Sequence, residues 1–288
     1  MPVGPYGALL DAVRGVRWPA RRPVPGGAPG AHQARSRGIA PEFAEYRPYR
    51  QGDDTRRIDW KLLARSDRAF IRLAPDQAIL GTTFIVDASA SMDFPGGSAD
   101  AGKWLLAKRL VIALAAAAHG GADPVGLIVA SGAGVQRLAP RTRRGVIAEM
   151  ARTLDDTRPV GSAPLAPLVP ASRSRCVVVT DCLGDLDALR AALARHRARG
   201  GEAHVLHVVA RAELEPAATA VMATDPEDPA CQRPLLATTR AAYRDGFDAF
   251  RAETARAMLI DGVHYHEVVD DDAPEIVVRR IVMPVMAR

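Results

Sequence analysis

Lysine is nearly missing from this 288-residue chain: only Lys61, Lys103 and Lys108 stand among 38 basic residues, and the rest are arginine. A net charge of +5 built this way reads first as the Arg- and Ala-rich usage of a GC-rich genome. A nucleic-acid surface needs its arginines gathered on one element. The clearest gathering, Arg14, Arg17, Arg21, Arg22, Arg35 and Arg37, is interspersed with Pro19, Pro23, Pro25, Gly26, Gly27, Pro29 and Gly30. That mixture suits a flexible segment, so an Arg-mediated nucleic-acid binder is only a third reading. Aromatics are scarce too, at 5%, and Ala, Val and Leu must build the core. The three cysteines, Cys176, Cys182 and Cys231, form no C-x-x-C pair and read as reduced thiols of a cytoplasmic protein. No apolar segment of signal type follows Met1. The longest apolar run, Leu110 to Ala118, is too short to span a bilayer, so no membrane partner is expected.

From Gly81 onward, short β-rich runs alternate with longer helical patterns. Strands are expected at Thr82 to Val86, Pro124 to Ala130, Val135 to Leu138, Cys176 to Thr180, Ala203 to Ala210 and Val263 to Val269. Helices are expected at Trp104 to His119, Arg143 to Leu154, Leu186 to Arg199, Thr239 to Ile260 and after Pro274, with Arg211 to Leu236 as loop. Continuous Val/Ile runs between helices predict an α/β fold, a mostly parallel sheet covered on both faces. The chain then divides into an N-terminal extension, residues 1–80, and the sheet domain, residues 81–288, completed by a C-terminal helix, strand and helix.

The residues that carry chemistry follow the first strand of that domain: Asp87-Ala88-Ser89-Ala90-Ser91. Ligands of open α/β sheets bind where strands end at their carboxyl edge. One carboxylate and two hydroxyls at alternate positions there can face one point, and such hard oxygens suit Mg²⁺, Mn²⁺ or Ca²⁺. Asp181, after the strand Cys176 to Thr180, lies at the same edge.

Asp87-x-Ser89-x-Ser91 resembles the metal-ion-dependent adhesion site of von Willebrand factor A domains. The block Glu42 to Arg65 is similar to the hallmark of the bacterial family called domain of unknown function 58, with Tyr46, Arg47, Tyr49, Gly52, Asp53, Arg57, Asp59, Trp60, Ala64 and Arg65 in place. The resemblance implies a von Willebrand factor A-like fold and direct coordination by Ser89 and Ser91, with Asp87 and Asp181 acting through water. It also implies a third hydroxyl from a separate loop. Here that is Ser162, where relatives usually have threonine, and no aspartate follows it. Relatives are often encoded beside MoxR-type AAA+ ATPases, so the implied role is an adaptor or chaperone-like partner of such an ATPase.

The alternative is an enzyme, a hydrolase or phosphotransferase using Asp87 and Asp181. A haloacid-dehalogenase-type phosphotransferase needs a second Asp where Ser89 stands, and no Gly-x-Ser-x-Gly nucleophile turn surrounds either serine. Gly97-x-x-x-x-Gly102-Lys103 imitates a P-loop, but Trp104 stands where Ser or Thr must bind Mg²⁺. His264-Tyr265-His266 lacks a third ligand in sequence and reads as a surface strand. Tyr46, Arg47, Tyr49, Asp53, Arg57, Asp59 and Trp60 have the composition of a partner-binding surface. The same block is expected to be ordered against the sheet domain, with Trp60 largely buried.

Overall fold

The structure, a computed structural model, describes residues 4–20, 29–33, 45–48, 60–66, 68–73, 77–78, 80–94, 101–220, 222–227 and 230–283. In chain order the elements are α1 (Gly7–Ala12), β1 (Pro29–Gln33), β2 (Glu45–Pro48), α2 (Trp60–Ser66), β3 (Phe70–Leu73), β4 (Gln77–Ala78), β5 (Thr82–Asp87), α3 (Lys103–Gly120), β6 (Val125–Ser131), β7 (Gly134–Arg141), α4 (Val146–Asp156), β8 (Arg175–Thr180), α5 (Leu186–Ala198), β9 (Glu202–Val209), α6 (Arg211–Leu214), β10 (Met222–Thr224), β11 (Gln232–Pro234), α7 (Ala237–Ile260), β12 (His264–Val269) and α8 (Pro274–Val282). Among the described residues no helix is long and apolar enough to cross a membrane.

The central sheet has the order β12-β9-β8-β5-β6-β7. Every neighbouring pair is parallel except β6 and β7, which form an antiparallel edge hairpin. Burial follows the sequence pattern. β5, β6, β8 and β9 are buried at every position, because side chains of alternating direction meet helices on both faces. Phe84, Val86, Val177 and Val179 pack with Leu110 of α3, Leu154 of α4 and Ile281 of α8. Ile85, Cys176 and Val178 pack on the other face with Leu189 and Leu193 of α5 and Met258 of α7. Each such aliphatic side chain withdrawn from water contributes roughly 1.5–3 kcal/mol before conformational entropy is set against it. β7 is almost wholly exposed, as an edge strand bearing Arg137 and Arg141 should be.

Two compact units emerge, Met1–Trp18 with Gly81–Arg288, and Pro19–Leu80. The N-terminal extension expected over residues 1–80 is therefore corrected at its start: its first part belongs with the sheet. Trp18 shows the reason. Its ring lies 4.3 Å from the Arg175 guanidinium, and its carbonyl accepts a 3.3 Å hydrogen bond from that group. Arg175 is fully buried and also donates to Glu202 at 3.0 Å, so the tryptophan helps to satisfy a charge that burial would otherwise penalise. Tyr6 adds a 2.7 Å hydrogen bond to Asp155.

Two further expectations change. The segment expected as loop, Arg211 to Leu236, contains α6 and the antiparallel hairpin β10–β11. Its strands have three residues each and are exposed throughout, so no apolar alternation could announce them. His264 and His266 are half-buried on β12 and stand beside His204 of β9, whose Nδ1 is 3.3 Å from His266 Nε2.

In the unit Pro19–Leu80, β1 pairs with β4 and β2 with β3, both antiparallel. Tyr46 and Arg47 lie on β2, in register with Arg72 and Ile71. Trp60 corrects the expectation of burial, for it is 63% exposed. It heads the short helix α2, in which Leu62 and Leu63 are half-buried while Ala64 and Arg65 are exposed with it. Tyr49, Asp53, Arg57 and Asp59 lie outside the described residues.

Candidate functional site

β5 lies between β6 and β8. The chain leaves β5 for β6 on one side and later returns to β8 on the other, so their carboxyl ends flank a topological switch point, where open α/β sheets bind ligands. Asp87 ends β5, Thr180 ends β8, and Asp181 follows it. After Asp87 the chain turns through Ser89 into a 3-10 turn, Ala90–Asp93. That turn is closed by the Ser89 N–H donating to Asp87 Oδ1 at 2.9 Å. It leaves the hydroxyl oxygens of Ser89 and Ser91 side by side, 3.0 Å apart, on residues 4% and 3% exposed.

Asp87 is engaged through both oxygens. The Thr180 hydroxyl donates to Oδ2 at 2.7 Å and accepts from the Cys182 N–H at 3.1 Å. Burial pushes the Asp87 carboxyl above its ordinary value, the Thr180 hydrogen bond draws it back, and the charge of Asp181 raises it again. Thr180 was missed in the sequence, where a threonine closing a Val-rich strand looks like any other β-branched residue.

The loop that carries Ser162 is held against this turn by its backbone. Val160 N–H donates to Ala88 O at 2.9 Å, Ala90 N–H to Gly161 O at 2.7 Å, and Gly132 N–H to Val160 O at 2.6 Å. The approach needs glycine: a Cβ on Gly132 would stand 2.9 Å from the Gly161 Cα, and Gly161 itself has φ +56°. Ser162 comes next and is exposed.

Lys103 is the second residue the sequence did not reveal as part of the site. It opens α3, is fully buried, and places Nζ 2.8 Å from Asp181 Oδ2 and 2.8 Å from Glu213 Oε1. Burial alone would lower the Lys103 pKa; the charges and hydrogen bonds of Asp181 and Glu213 outweigh it, and the value is raised. Glu213 also accepts the Ala210 N–H at 2.7 Å, fastening α6 beside the site. The last newcomer is Glu227, between β10 and β11, whose Oε1 accepts from the Ser91 hydroxyl at 3.4 Å. Partial burial raises the Glu227 carboxyl, followed by the charges of Asp181, Asp87 and Asp225.

The sequence-expected residues Asp87, Ser89, Ser91 and Asp181 thus share one edge, with the Ser162 loop against it. Two oxygens bound cis to one Mg²⁺, each about 2.1 Å from it, lie about 3 Å apart, and the Ser89–Ser91 separation of 3.0 Å fits that spacing. Among the described residues no three His, Cys, Asp or Glu side chains are arranged to hold an ion by themselves, so the hydroxyls would have to be direct ligands. The charge also fits: Asp181 and Glu213 share the single Lys103 ammonium, while Asp87 and Glu227 each feel the negative charge of Asp181, leaving negative charge for a cation to compensate.

Beside Asp87 a small cavity is lined by Ala163, Pro164, Leu165, Thr180, Cys182, Leu186 and Leu189 among others. Cys182 has φ +61°, a left-handed conformation costly for a residue with a Cβ. Burial, then the charges of Asp181 and Asp87, hold its thiol well above the ordinary range, so it carries no ready thiolate.

A family model described as "Protein of unknown function DUF58" matches residues 45–257. The uncharacterized proteins Rv1480 of Mycobacterium tuberculosis (strain H37Rv) and Mb1516 of Mycobacterium bovis are each 33% identical over 201 residues, 65% of this chain and 62% of theirs. The chain thus spans less than two thirds of the length of these curated relatives. Among solved structures it is similar to the conserved hypothetical protein BatB from Bacteroides thetaiotaomicron, at 16% identity and TM-score 0.47 over 70% of this chain and 97% of that one. A second is the SpRpn10 VWA domain, at 13% identity and TM-score 0.43 over 73% and 100%. The architecture, a mostly parallel α/β sheet, stands on its own strand order, and with a family match over most of its length this chain belongs to the DUF58 family.

Proposed function

We propose that this protein is a non-enzymatic interaction module that grips an acidic residue of a partner through a divalent ion, Mg²⁺ or else Mn²⁺ or Ca²⁺. The observation that carries this reading is the pair of buried hydroxyls on Ser89 and Ser91, 3.0 Å apart at the end of β5. Those two would hold the ion directly, the Ser162 loop would supply a third hydroxyl, and Asp87 and Asp181 would act through water. The ion would supply an electrophilic coordination position, to which a partner's carboxylate binds with charge and direction.

The chain's own residues govern how well that works. Thr180 and the Ser89 N–H hold Asp87 by both oxygens, which suits an orienting group better than a direct ligand. Lys103 holds Asp181 by Oδ2, and the Leu183 N–H donates to its Oδ1. Neutral hydroxyls in direct contact leave more of the ion's charge for the partner than carboxylates would. The same commitments weigh against the hydrolase or phosphotransferase reading, since a base must be free to take a proton.

The implied partner is a MoxR-type AAA+ ATPase in the cytoplasm, with this chain as adaptor. A pull-down with such an ATPase tests it, comparing Mg²⁺ with EDTA and the wild type with Ser89→Ala/Ser91→Ala. Recovery only of the wild type in Mg²⁺ supports the reading. Equal recovery in all four arms moves the interface to the block around Trp60, whose 63% exposure favours it as a second docking element.

A further inference from the structure

We propose that Glu227 is the resident ligand of this site, held there in cis by the β10–β11 hairpin, and that a partner enters by presenting an acidic turn in its place. This rests on reading Ser89 and Ser91 as ion ligands. The contact spans 136 residues of sequence, with the Ser91 hydroxyl 3.4 Å from Glu227 Oε1. That distance is long for a strong hydrogen bond, and the surroundings are worse than neutral: Asp87 and Asp181 repel the Glu227 carboxylate. A carboxylate facing the Ser91 hydroxyl and backed by like charges gains most from a cation placed between them. The position taken by Glu227 is the one a partner's carboxylate would take.

The hairpin is built to present this residue and to let it go. Its tip is closed by the Glu227 N–H donating to Asp225 Oδ1 at 2.9 Å and the Asp225 N–H donating to Cys231 O at 3.0 Å. Its base is tied to α7, where Arg240 donates to the carbonyls of Ala218 at 3.1 Å and Ala220 at 3.0 Å. Between base and tip, the residues of β10 and β11 are exposed, so little apolar surface resists opening. A tethered ligand of this kind acts at an effective concentration in the millimolar range. It therefore screens out lone carboxylates and yields to partners that add contacts of their own. The described tip, Asp225-Pro226-Glu227, shows the chemistry the site would accept: a glutamate that follows a proline on an acidic turn.

The test uses Mn²⁺ as the probe ion, with its affinity and bound waters read by electron paramagnetic resonance and water-proton relaxation, and acetate as the probe carboxylate. Glu227→Gln should bind Mn²⁺ about tenfold more weakly than the wild type. Its bound ion should show a higher relaxivity, from an added water, and acetate should reduce that relaxivity again. Wild-type relaxivity should not respond to acetate. If Glu227→Gln matches the wild type in affinity, relaxivity and acetate response, the hairpin is no ligand and the proposal is overturned while the ion site stands. If the wild type binds no Mn²⁺, or Ser89→Ala/Ser91→Ala binds it undiminished, the ion site itself is wrong and the resident ligand falls with it.

Discussion

Lys103 and Asp181, far apart in sequence, meet in an ion pair of 2.8 Å with side chains 1% and 3% exposed. The pair joins the first residue of α3 to the end of β8, and Glu213 of α6 completes it at 2.8 Å. Lys103→Met would keep the bulk of the side chain and remove the charge, leaving two carboxylates without their cation. Breaking a buried pair from one side costs about 3–5 kcal/mol, so urea denaturation in metal-free buffer should show a loss of that order. A loss below about 1 kcal/mol would mean that the ammonium is not the partner these carboxylates depend on.

Gly132 and Gly161 set how closely the Ser162 loop can approach the Asp87 turn. Gly132→Ala puts a methyl 2.9 Å from both the Gly161 Cα and the Val160 carbonyl oxygen. Backbone cannot yield as a flexible side chain does, so we expect a stability loss of about 1–3 kcal/mol and weaker ion binding in calorimetry. Unchanged stability together with unchanged ion binding would show that the loop is not confined there.

His207, on β9 in register with Thr180, gives a pH dependence beside the site. It is 1% exposed, its Nδ1 lies 2.6 Å from the Tyr265 hydroxyl, and burial lowers its pKa to about 4, against smaller opposing effects of Glu267 and Asp181. Between pH 6.5 and about 4 the unfolded chain binds a proton that the folded chain refuses. Stability must therefore fall as pH drops through that window, by up to roughly 3 kcal/mol. His207→Asn should flatten this part of the stability–pH curve; an unaltered slope would place the titration elsewhere.

Much of this architecture was legible because hydrophobic runs such as Phe84-Ile85-Val86 and Cys176-Val177-Val178-Val179, set between long helices, can bury both of their faces only as inner strands of a covered sheet. Asp87, Ser89, Ser91 and Asp181 were legible for the same reason, since a polar cluster just past a buried strand lies at the ligand edge. Lys103, Thr180, Glu213 and Glu227 were not. Lys103, Glu213 and Glu227 join the site from distant parts of the chain, and local sequence records neither the crossing of α3 over the sheet nor the reach of a three-residue hairpin; Thr180, next to Asp181, passes for any β-branched residue closing a strand. Lys103 even imitated a different motif. Trp60 misled in the opposite sense, because the aromatic content of its block suggests packing, whereas the indole is exposed and Leu62 and Leu63 are half-buried.

The central claim is that Ser89 and Ser91 hold a divalent ion, and calorimetric titration with Mg²⁺ on the full chain tests it most directly. The account predicts saturable binding of one ion by the wild type. It predicts a loss of at least about tenfold in affinity in Ser89→Ala/Ser91→Ala, with the fold of that variant checked by circular dichroism. Undiminished Mg²⁺ binding by the folded double variant, or no binding by the wild type, would contradict it.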